Sequence, residues 1–159
     1  MSKKFVLRNS NPLVSVHRVH GLKILPGLAY IDMVYQHFRR EGHDFAALEM
    51  RKLAIHQPMV LPGSEDILVD LQVLEVRPGV WQVLIDGTRQ QDGRAVAEKV
   101  RYVVCEMHRS AVAFDAAEDL PAAPPRHQAK ASEAIYSAFR ERGLAHDGFM
   151  QVGGEGYSS

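Results

Sequence analysis

Residues 17 to 27 read His-Arg-Val-His-Gly-Leu-Lys-Ile-Leu-Pro-Gly. An imidazole titrates near neutral pH, so His17 can take up a proton if its ring is held in one tautomer. Gly21 lets the backbone pass close to a ligand, because no Cβ stands in the way. Pro26 suits a helix entry and Gly27 follows it. A helix starting there offers unpaired amides and a partial positive charge, apt for an oxygen that becomes negative. Asp32 lies five positions after Gly27, between Ile31 and Met33. If those neighbours enclose it, desolvation raises its affinity for a proton. The plainer readings stay open: a histidine satisfied inside the fold, a turn glycine, and an aspartate favoured by the helix dipole.

The elements around these residues follow from periodicity. Residues 4 to 8 read as a short opening strand and Asn9 to Pro12 as a turn. Leu13 to Val19 is β-prone and delivers His17. From Leu28 the apolar positions Leu28, Ile31, Met33, Val34, Tyr35 and Phe38 keep a helical period, ending near Gly42 after Arg39 and Arg40. Tyr30 and Tyr35 read as core or pocket residues, and His20 as lining.

A run of roughly four antiparallel strands is expected next. Residues 48 to 61 carry Leu53, Ile55 and Gln57 in alternation. In residues 66 to 76, Ile67, Val69, Leu71 and Val73 share one face. Turns at Pro78-Gly79 and Asp92-Gly93 separate strands over residues 80 to 86 and 97 to 108. One helix followed by such strands suits an α+β layer, a sheet wrapped around a single buried helix. Residues 110 to 131, with Pro121, Pro124 and Pro125, read as a linker. Ser132 opens a short helix with Ile135, Tyr136 and Phe139 on one face and Gly143 at its end. The glycine-rich end, Gly153 to Ser159, reads as a flexible tail. The division is thus a domain over residues 1–109, a linker over 110–131, and a helix with tail over 132–159.

Composition narrows the function classes. At 159 residues with a formal net charge of +0, one domain of ordinary size is expected, with no broad electrostatic case for nucleic acid or an anionic membrane. No apolar run approaches the length of a membrane span, and the basic start lacks the apolar stretch of a signal peptide. The one cysteine, Cys105, reads as a buried reduced thiol, in keeping with the cytoplasm. The eight histidines are scattered, with no two in a zinc pattern, so no metal is expected; His56, His108, His127 and His146 fall in no grouping.

The pattern H-x-x-x-G-x-x-x-x-P-G resembles the signature of the hot-dog-fold dehydratase domains of polyketide synthases. The likeness covers the whole first half of such a double hot dog, residues 5 to 108, then the linker and the opening of the second half. It implies removal of water from a 3-hydroxyacyl thioester held on the phosphopantetheine arm of an acyl carrier protein, with no bound cofactor. It implies His17 as the base and the Gly21 amide as a donor to the thioester carbonyl. Pro26 and Gly27 would fix the loop, and Tyr30 would stand near the substrate. More distantly, the single-hot-dog dehydratases of fatty-acid synthesis place a catalytic carboxylate at the offset of Asp32, acting across a homodimer interface. Where the family has a Tyr-Gly-Pro-x-Phe-Gln element, residues 146 to 151 read His-Asp-Gly-Phe-Met-Gln. The family often has Asp before the histidine; here it is Val16.

The resemblance leaves three further readings. One is a non-catalytic half-domain that pairs with a second hot-dog half or with another copy as a homodimer. Another is a double-bond isomerase, which needs the base alone. The third is a hot-dog thioesterase, against which the motif argues.

Overall fold

The computed structural model describes residues 2–110, 129–151 and 155–157. Strand β1 (Ser2–Leu7) opens the chain. A single helical turn, α1 (Pro12–Ser15), follows where a strand from Leu13 was expected. Its cause is local: the Asn11 side chain accepts the Leu13 N–H and Pro12 stands at the first helical position. Strand β2 is therefore only His17–Val19, and it turns back at once into β3 (Leu22–Lys23).

Helix α2 runs Gly27–Arg40, with Pro26 as its N-cap and basic residues in its last turn. Ala29, Tyr30, Val34, His37 and Phe38 form its buried face. Leu28 belongs to the opposite side and is 77% exposed, so the expected apolar stripe is correct in period but rotated in phase.

The remaining strands are β4 (Leu48–Ile55), β5 (Asp66–Arg77), β6 (Val80–Gln91), β7 (Arg94–Ala95) and β8 (Val100–Arg109). They form an antiparallel sheet in the order β1-β5-β6-β8-β4, with β7 pairing β6. Ile67, Val69, Leu71 and Val73 are all buried, as their alternation predicts. They share one core with Val83 and Ile85 of β6, Val103, Cys105 and Met107 of β8, and the inner face of α2. Phe38 meets Trp81 edge to face at 5.2 Å, tying the helix to the sheet. A sheet wrapped on one central helix is the hot-dog arrangement.

Two boundaries moved. Strand β6 runs on to Gln91 and β8 starts only at Val100, because Asp92 and Gly93, both with positive φ, make a tight hairpin into β7. Leu53 and Ile55 lie on edge strand β4 and are 37% and 44% exposed. Beyond the sheet come β9 (Ala129–Ala131), α3 (Ser132–Glu141), β10 (Leu144–His146) and β11 (Glu155–Tyr157). Strand β10 joins β2 and β3 in a small second sheet, and β11 pairs β9. Most of the expected linker, residues 111–128, and most of the expected tail, residues 153–154 and 158–159, lie outside the described residues.

Candidate active site

The short strand β2 leaves His17 half-buried, with its Nδ1 2.7 Å from the main-chain oxygen of Ile24. A carbonyl oxygen only accepts, so Nδ1 is the donor and carries the proton. The neutral ring then presents a bare Nε2, the form a base needs. The Ile24 amide also donates to the His17 oxygen at 3.2 Å, so the two residues are fastened twice.

Behind this clamp stands the core. The Leu25 amide donates to the Met59 oxygen at 3.0 Å, and the Met59 amide donates to the Tyr30 hydroxyl at 2.8 Å. Tyr30 is 1% exposed, so it sits in the core as a support rather than in an open pocket. Burial raises the affinity of its phenol for the proton, with the Met59 bond acting the other way.

Pro26 caps α2 without any side-chain bond to the first amides. Gly27 opens the helix on the exposed side, where a Cβ would meet Ile55 of the edge strand at 3.8 Å. The helix N-terminus and the free edge of β4 are thus neighbours. Gly21 lies in a tight turn, one of the two readings its type allows. His20 and Gly21 both take positive φ, 48° and 80°, and form the two-residue tip of the β2–β3 hairpin. The tip is exposed, and the Gly21 oxygen accepts from Arg18 at 3.3 Å.

His20 does not line the site. It is exposed, its amide donates to the Gly143 oxygen at 2.6 Å, and its ring lies over Gly143. Asp32 lacks the enclosure expected for it: it is exposed and accepts from Gln36 at 3.3 Å. It lies in a groove with Lys3, Phe5, Met33, His37, Arg40 and Leu71, residues that are not among the partners described for His17. Within one chain, then, the expected base and acid belong to different surroundings.

His146 falls in no grouping by spacing, and the structure sets it beside His17. Strands β2 and β10 pair antiparallel with His146 opposite His17, and the rings lie 5.1 Å apart, tilted by 31°. Tyr136 and Phe139 of α3 meet the His146 ring edge-on at 6.3 Å. The Asp147 amide donates to the Val16 oxygen at 3.0 Å and Gln151 Nε2 to the His146 oxygen at 2.8 Å, which hold the strand in place. Burial lowers the pKa of His146 below the ordinary histidine value, the adjacent His17 lowers it further, and Asp147 acts against both. Among the described residues no group of three or more His, Cys, Asp or Glu side chains is placed to hold a metal ion.

The fold and the motif define a hot-dog protein of the dehydratase type. The family model described as the polyketide synthase dehydratase domain matches residues 3–86, and the chain belongs to that family. Two polyketide synthases of Bacillus subtilis (strain 168) are similar to it. PksM is 35% identical over 158 residues, covering 94% of this chain and 4% of that protein; PksL is 33% identical over 162 residues, covering 97% and 3%. The crystal structure of a monomeric dehydratase domain from a trans AT polyketide synthase split module superposes with a TM-score of 0.89 at 30% identity. The match covers 100% of this chain and 59% of that one. An N-terminal dehydratase from the difficidin assembly line shares the fold, with a TM-score of 0.76 at 23% identity, over 98% of this chain and 55% of that one. The chain thus spans a few hundredths of the curated synthases and somewhat more than half of the solved dehydratase domains. No helix among the described residues is long and apolar enough to cross a membrane.

Proposed function

We propose that the chain is the N-terminal hot-dog half of a dehydratase acting on a 3-hydroxyacyl thioester carried on the phosphopantetheine of an acyl carrier protein in the cytoplasm. His17 Nε2 takes the proton from the carbon beside the carbonyl. The double bond forms as the carbon–oxygen bond to the hydroxyl breaks, and an acid gives that oxygen a proton, so it leaves as water. The step changes no oxidation state and calls for no redox cofactor. The observation that carries this reading is the bond from His17 Nδ1 to Ile24, which leaves Nε2 free, in a chain of the dehydratase family.

The acid is supplied from outside this half. The exposed Leu53 and Ile55 on the free edge β4, with Leu28 exposed at the start of α2, offer a face for a second hot dog. The match to somewhat more than half of a dehydratase domain described as monomeric favours a second half rather than a second copy. A homodimer in which Asp32 of one copy serves His17 of the other remains the rival arrangement, and the exposure of Asp32 permits it.

Intact-mass analysis of 3-hydroxybutyryl carrier protein incubated with the chain tests the reading. Loss of one water supports it. Free acid would mean a thioesterase, and a moved double bond in an enoyl substrate, without water loss, an isomerase.

A further inference from the structure

We propose that His146 is a positioning residue of the His17 site, and that the two imidazoles act as one proton-handling pair in which one positive charge resists a second, so that turnover starts with neither ring charged. The chemistry rests on the dehydratase reading; the pairing rests on geometry alone. The two histidines face each other in the β2–β10 register with their rings 5.1 Å apart. At that separation, in a half-buried setting, two positive rings repel strongly.

The charges around His146 do not relieve this. Strand β2 presents His17, with Arg18 opposite Ala145. Helix α3 presents Tyr136 and Phe139, and its Arg140 is engaged by Glu133. The hairpin tip brings His20 to Gly143. Among the described residues, the one acidic neighbour acting on His146 is Asp147, and its effect is smaller than those of burial and of His17.

The consequence for turnover is direct. As the carbon–hydrogen bond beside the carbonyl breaks, the proton goes to His17 Nε2, and the pair then carries one charge until that proton leaves. A pair already protonated once cannot accept it. Below both midpoints of the pair, the rate of proton removal must therefore fall with the uptake of two protons, not one.

Two arms test this. In the first, imidazole resonances of the chain are followed by NMR against pH without substrate. His146 titrates below an ordinary histidine, and its midpoint rises in His17→Asn, whose amide keeps a donor toward Ile24. An unmoved midpoint in a variant with a native-like amide spectrum overturns the pairing. In the second arm, the acid limb of the deuterium-exchange rate beside the carbonyl of 3-hydroxybutyryl carrier protein approaches a slope of two. In His146→Phe, which keeps a ring between Tyr136 and Phe139, the slope falls to one. Equal slopes make His146 structural only and overturn its part in turnover. If the unmodified chain gives neither deuterium exchange beside the carbonyl nor a water-loss product, the dehydratase reading fails, and the NMR arm decides the pairing by itself.

Discussion

The hydroxyl of Tyr30 accepts the main-chain N–H of Met59 at 2.8 Å inside the core, and this bond connects helix α2 to the ring of His17. Met59 holds Leu25, Leu25 follows Ile24, and Ile24 fixes the tautomer of His17. The helix therefore positions the base through the core, without touching it.

Tyr30→Phe removes the acceptor and leaves a buried amide unpaired. We expect a loss of about 1–3 kcal/mol in the stability read from a urea transition. The variant should still fold, since the ring and its burial are kept. Unchanged stability would mean that the Met59 amide has found another acceptor.

Asp70 and Asp86 face each other across β5 and β6, a pair of like charges held together by two cations. Lys99 Nζ lies 2.7 Å from Asp70 Oδ2, and Arg101 Nε lies 2.8 Å from Asp86 Oδ1. The bond from Lys99 holds the carboxyl of Asp70 below the usual carboxylate range, and that from Arg101 does the same for Asp86. A lowered folded-state pKa stabilises the fold above the unfolded pKa, and the gain is lost as pH falls through the folded value. Asp86→Asn should cost about 1–2 kcal/mol at pH 7, since Arg101 is half-exposed and can regain water. The gap from the unmodified protein should close below roughly pH 4. A gap that stays constant with pH would show that packing, not charge, is responsible.

How legible these features were depends on how local their causes are. Pro26-Gly27 and Gly42 mark the ends of α2, and the alternation from Ile67 to Val73 marks the inner face of β5, because each signal lies within the element it describes. The phase of α2 was harder. Leu28 looks like a core residue until tertiary packing turns it outward, and Asp32 turns outward with it. The helical turn at Pro12 had its signal in Asn11-Pro12, which also reads as a plain turn. His146 was out of reach by spacing, because its partner His17 stands at the other end of the chain and the two meet only through strand pairing. The one available hint was Gly143, whose positive φ turns the chain from α3 into β10.

If His17 removes the proton beside the thioester carbonyl, exchange of that proton with solvent reports the step. The chain is incubated in heavy water with 3-hydroxybutyryl carrier protein, alongside His17→Asn, which keeps the donor to Ile24 but has no base. Deuterium beside the carbonyl, or a water-loss product, is expected with the unmodified chain and neither with the variant. Equal exchange in both, with the variant folded, would contradict His17 as the base.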